Sequence, residues 1–299
     1  MACSDFHGEP RQERGEAEPE MDVRKLVRAL WSSAWVGWEV ESNWTEPTIF
    51  IGLQIIRPLA STLLFPLLYL VGMNFTGKPV DPNYLAYIFV GTAFFTPYIF
   101  AAETGGTIVS QDRERYGVMK SIYITTSSLS IYFLGRFIAV AGISLFSTLS
   151  SFAAAYALLV WGIGYSMPLR LENLGEFLLA LGAMYIGSFG LFYMLPSINL
   201  LTNKLQWSLT YYFLGLLYLL GDIIFPVQRL SPLAEPLSYI LPTNQALNTL
   251  RNALGLPTAH NMAAAYLASI LWAALGYYVF KRAVGRARAK GLLDKIGWW

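Results

Sequence analysis

Six stretches of the chain are apolar with almost no charge: 48–73, 84–110, 137–163, 176–200, 207–225 and 261–280. Each comes close to the roughly 20 residues a helix needs to cross a hydrocarbon core of about 30 Å. The runs are unbroken, not alternating, which excludes the strands of a membrane barrel. Helices are then the remaining way to satisfy the backbone in lipid. The expected fold is an all-α polytopic membrane protein of six transmembrane helices.

The segments around these runs follow other patterns. Residues 1–20 are polar and acid-rich, with Glu9, Glu13, Glu16, Glu18 and Glu20 and no apolar core. They read as a disordered N-terminal tail and not as a signal peptide. Residues 21–299 read as a single transmembrane domain, and Met21 is a second candidate start beside Met1. From Met21, "MDVRKLVRALWSSAWVGWEVE" places Val23, Leu26, Val27, Leu30, Trp31, Ala34, Trp35 and Trp38 at helical spacing. Arg24, Lys25 and Arg28 occupy other faces. Tryptophan beside a basic face suits an interfacial helix on the membrane surface, an amphipathic helix packed on protein being the plainer reading. Near the other end, 226–258 is too polar to span and is broken by Pro232, Pro236 and Pro242. Two short re-entrant helices in the outer leaflet fit it, and a surface loop is the plainer alternative.

Composition agrees with lipid. The 299 residues are 55% hydrophobic and 13% charged, against about 25% charged in a soluble domain. A net charge of +2 is too small to imply nucleic acid. One cysteine, Cys3, leaves no intrachain disulfide, and two histidines give little for His-centred catalysis. With the N-terminus inside, 16 of the 21 basic residues fall on inside segments, whereas Lys78, Arg170, Arg229 and Arg251 fall outside and Arg57 lies within the first span. The positive-inside rule then puts both termini in the cytosol of a multi-pass cell-membrane protein. The basic tail from Lys281 to Lys295 suits anionic lipid heads.

The same rule makes 111–130 cytosolic. Asp112, Arg113, Glu114 and Arg115 are too costly for lipid, and Gly117 relaxes the backbone beside them. Val118, Met119, Ile122 and Tyr123 then recur at helical spacing with Lys120 and Ser121 between, a short amphipathic helix that would expose Met, Ile and Tyr. Thr125, Thr126, Ser127 and Ser128 offer cap oxygens for the next span. Such a helix is either a docking site for a cytosolic partner or a loop anchored at the membrane.

On Glu114, Gly117, Val118, Met119, Ile122, Thr125 and Ser128, this segment resembles the cytosolic loop of ABC-2-type permeases, the membrane subunits of one class of ATP-driven exporters. Thr126 stands where that family usually has proline, and Lys120 where an acid is common. The outer stretch "FPVQRLSPLAEPLSYILPTNQALNTLRNALG", with Pro226, Leu241, Pro242, Thr243 and Arg251, is similar to that family's segment before the last span. The likeness runs from about Val23 to Lys290. It implies a two-fold dimer with a second permease chain, identical or not. It also implies an ATPase subunit docked on Glu114, Arg115, Gly117, Val118, Met119, Lys120, Ile122 and Tyr123. ATP and magnesium would bind that partner, because this chain has no Gly-x-x-x-x-Gly-Lys-Ser/Thr loop. No cofactor or metal is expected here, and a transport subunit rather than an enzyme. The substrates implied are amphipathic drugs, lipids or lipid-linked glycans, moved outward.

Two intramembrane charges stand out. Arg57 lies roughly 14 Å along the first span and Glu103 roughly 10 Å from the inner end of the second, depths compatible with an ion pair. Arg57 could instead snorkel, or either residue could meet substrate. Asp222 reads as interfacial. Phe94, Phe95, Tyr98, Tyr211, Tyr212, Phe213 and Tyr218 could line a path or simply pack. Two rival classes remain. An ion-gradient-driven secondary transporter would use buried acids, here Glu103. A membrane enzyme would have only His260 to build on.

Overall fold

The computed structural model describes residues 23–117, 119, 121–122, 128–202, 206–231 and 233–292. The tail 1–22, Val118, Lys120, Tyr123 to Ser127, Lys204, Pro232 and Lys295 lie outside them. Helix-start signals in the sequence set many of the element ends. Asp81 accepts from the amides of Asn83 and Tyr84 ahead of Pro82, Ser128 from Ser130, Asn173 from Glu176 and Asn261 from Ala264. Each cap oxygen satisfies an amide that the first turn leaves orphaned.

In chain order the helices are α1 (Val23–Ser42), α2 (Pro47–Thr76), α3 (Pro82–Phe94) and α4 (Thr96–Ser110). They continue with α5 (Leu129–Ala157), α6 (Leu174–Leu201), α7 (Gln206–Leu220), α8 (Ala234–Ile240), α9 (Pro242–Ala253) and α10 (Met262–Ala289). Single π turns extend α4 over Gln111–Arg115 and α5 over Leu158–Gly162. There is no strand among the described residues.

Five tracts are long and apolar enough to cross a membrane: Pro47–Thr76, Pro82–Arg115, Leu129–Gly162, Leu174–Leu201 and Met262–Ala289. They match five of the six expected spans, an all-helical architecture compatible with a multi-pass membrane protein. The expected fifth span differs. Its helix, α7, has 15 residues and a length of about 22 Å, short of a core of about 30 Å. The chain leaves the helix at Gly221, and Asp222 turns it with a φ of 60°.

The second tract is two helices laid end to end. Pro97 has no amide hydrogen to give the carbonyl of Ala93, and the Thr96 hydroxyl donates to that carbonyl instead, at 2.8 Å. The bulk of the fold lies in two apolar clusters, one toward each end of the bundle. Phe89, Phe94, Phe95, Leu181 and Leu247 belong to the first. Met119, Leu129, Phe133, Tyr193 and Phe280 belong to the second.

The first helix is amphipathic and packs on protein along one face. Val23, Val27, Trp31, Trp35 and Trp38 stay exposed. The face holding Ser33 and Gly37 packs on α5, where a Cβ at Gly135 would collide with Ser33 and the backbone of Leu30 and Ala34. Small residues let two helix backbones approach this closely.

Candidate functional site

Arg57 and Glu103 meet. One guanidinium nitrogen, Nη2, donates to both Glu103 oxygens at 2.5 and 2.6 Å, and the side chains remain 66% and 28% exposed. The pair stands in a polar cavity of about 250 Å³ between otherwise apolar helices. Glu41 enters it from the end of α1, Gln54 and Arg57 from α2, and Thr210 and Tyr211 from α7. Phe100, Glu103, Thr104 and Thr107 come from α4, with Gln111 from its π turn.

Polar groups on the wall are only partly satisfied. Gln54 accepts from Ser147 at 3.1 Å, and Thr107 donates to the Glu103 carbonyl at 2.9 Å. The buried Gln111 Oε1 has no hydrogen-bond partner among the described residues. Glu41 makes no side-chain hydrogen bond among the described residues. Burial raises its carboxyl above the ordinary range. Arg136 pulls it back down, Glu103 raises it further and Arg57 lowers it.

Below the cavity, the start of the charged segment is buried, not solvated. Arg136 is wholly inaccessible, and its Nη1 donates to Asp112 Oδ1 at 3.3 Å and to the Tyr132 hydroxyl at 2.9 Å. Tyr132 in turn donates to Asp112 Oδ2 at 3.0 Å. Mutual pairing makes burial of both charges tolerable, which the expectation of a solvated Asp112 and Arg113 missed. Tyr132 and Arg136 share a face of α5 at i, i+4, the one sequence signal for this network.

The expected docking residues divide. Glu114, Arg115 and Gly117 are exposed, and Gly117 holds a φ of 63°. Met119 is only 1% exposed and sits in the second apolar cluster, with Ile122 packed against it. The expectation of a protruding Met and Ile is therefore corrected: these side chains anchor the segment to Leu129 and Phe280. Val118, Lys120 and Tyr123 lie outside the described residues. Ser128 alone of the four hydroxyl residues is described, and it is the cap of α5.

The segment 226–258 is no surface loop. Every residue of α9 from Pro242 to Arg251 is buried, Thr243 and Arg251 completely, while Pro226 is half-buried. Arg251 donates to the carbonyls of Tyr87 and Ile223 at 3.3 and 2.9 Å and to Asn248 Oδ1 at 2.9 Å. Its guanidinium lies 3.5 Å from the centre of the Tyr87 ring. Asp222, at the end of α7, is buried in protein too: it accepts from the Val227 amide at 2.7 Å and from Asn248 at 2.8 Å.

Among the aromatics singled out, Phe94, Phe95 and Tyr98 are core residues, whereas Tyr211 borders the cavity. His260 Nε2 meets Glu176 Oε1 at 2.9 Å, joining the starts of α10 and α6. No protein-family model and no curated protein matches the chain.

Proposed function

We propose that this chain is the membrane permease subunit of an ATP-driven exporter of the ABC-2 type, powered by a separate ATPase. The observation that carries the reading is the course of one helix. Four residues of α4 and Gln111 of its π turn wall the polar cavity. A few residues on, the same chain emerges as the exposed Glu114 and Arg115. A load applied to that charged segment reaches the cavity through a continuous helix. The Asp112–Tyr132–Arg136 network and the buried Met119 fasten the segment to α5, so it can carry force in place of flexing.

In this reading both termini and the segment 111–130 are cytosolic in the cell membrane. The exposed Glu114, Arg115 and Gly117 receive the ATPase, which binds ATP and magnesium. The short α7 with 221–225 completes a sixth crossing, and α8 and α9 dip into the outer leaflet. A second permease chain completes the pathway, and an amphipathic drug, lipid or lipid-linked glycan leaves outward. No reaction is catalysed on this chain.

Gentle purification from the native membrane tests this. The chain brings down a stoichiometric ATPase, and Gly117→Trp and Glu114→Lys lose it. A clean chain, under conditions that hold other membrane complexes together, sinks the proposal. The two cavity carboxylates favour one second reading, transport driven by an ion gradient. Uptake into vesicles with a pH gradient and no ATP would establish it.

A further inference from the structure

The cavity is charged unevenly. Its wall holds two carboxylates, Glu41 and Glu103, and one guanidinium, Arg57. Arg57 is engaged with Glu103. Arg136, the next cation within reach of Glu41, is already held by Asp112. The wall therefore carries one more carboxylate than guanidinium, and Glu41, whose charged form burial disfavours, gains from a cation brought beside it.

Two further features describe that cation. The rings of Phe100 and Tyr211 border the same space, and an aromatic face attracts an ammonium group. The volume, about 250 Å³, is below the roughly 300–1,000 Å³ that encloses a whole drug-sized ligand. It fits a headgroup with the body of the molecule outside. Ile56 on α2 and Tyr211 and Tyr212 on α7 are exposed beside the cavity-lining positions, an apolar surface for such a body.

From these features we infer that the cavity is the headgroup site of a cationic amphiphile, with a protonated amine on Glu41 between Phe100 and Tyr211. The Arg57–Glu103 pair walls the site and keeps its net charge at one. This assignment rests on the transport reading for its purpose, but the binding itself needs no ATPase.

The test is therefore equilibrium binding to the isolated chain in lipid nanodiscs, without nucleotide. The probes are radiolabelled tetradecylamine and tetradecanol, equal in chain and different in charge. The amine binds saturably, and Glu41→Gln weakens it by about tenfold or more, the scale of one lost charged hydrogen bond. Glu41→Asp retains saturable binding, and the alcohol partitions equally into all three. Equal binding of amine and alcohol, or amine binding indifferent to Glu41→Gln, overturns the proposal. If Glu41→Gln is not monodisperse, the native chain decides. Displacement of labelled amine by unlabelled amine alone supports the site, and displacement by the alcohol as well refutes it. Loss of the ATPase in purification leaves this result untouched, so the two proposals fail separately.

Discussion

Glu41 and Asp112 are acids in low-dielectric surroundings with opposite solutions. Asp112 is hydrogen-bonded to its cation, whereas Glu41 feels Arg136 and Arg57 with no side-chain hydrogen bond among the described residues. Asp112→Asn leaves the Arg136 charge buried without compensation, at a cost of about 3–5 kcal/mol. Asp112→Leu combined with Arg136→Met removes both charges and costs far less, a contrast that chemical denaturation in detergent measures. At Glu41 the signature is pH. Its carboxyl titrates above the ordinary range because burial outweighs Arg136, and a bound alkylamine stays protonated well above neutrality. Amine affinity is then full when Glu41 is ionised. It falls on acidification through that raised value, before ordinary carboxylates protonate, and Glu41→Gln has a flat profile. The Arg57–Glu103 pair is exposed enough to contribute only about 1 kcal/mol or less. A double-mutant cycle of Arg57→Gln and Glu103→Gln should return a coupling of that size.

Between elements, α1 and α5 meet through small residues. Gly135→Leu forces the two backbones apart, and the expected result is trypsin cleavage at Arg28 under conditions that spare the native chain. Gly117→Ala places a Cβ in a left-handed turn at about 1–2 kcal/mol, read as faster amide exchange around Met119. The spans were legible because hydropathy over twenty residues averages away local detail. The same averaging hid what matters locally. Pro97 sits in an apolar run and divides a span without lowering its hydropathy. On α1 the tryptophan stripe drew the eye, while Ser33 and Gly37, which make the protein contact, carry no hydropathic signal. Met119 was read as exposed because its neighbours are charged, yet helical spacing equally permits the opposite face to be buried.

For the molecule as a whole, α9 is protein interior at one end of the bundle, whereas most side chains of α8 beside it are exposed. Arg251 joins α9 to α3 and to the turn at Ile223 by two hydrogen bonds and a ring contact. Arg251→Met should cost about 3 kcal/mol or more, because carbonyls at Tyr87 and Ile223 lose a charged donor. The thermal midpoint of the purified chain reports it. The Arg57–Glu103 meeting was legible from matched depths along two helices. The partner of Asp112, 24 residues away, was not, because charge pairing across a fold leaves no trace in local spacing. Asp222 likewise stands at a helix end, and only the folded chain brings Asn248 to it.

The interruption at Thr96 and Pro97 has a mechanical consequence. A continuous helix behaves as a rod, and displacing one end drags the other. Here the rod is jointed at mid-length, and a single hydroxyl bridges the missing amide bond. The upper half is clamped among Phe89, Phe94 and Leu247, while the lower half walls the polar cavity. The most compliant point of the tract thus lies just above the half that walls the cavity, so a bend there and not a shift of the whole rod is the expected response to a push on its lower end.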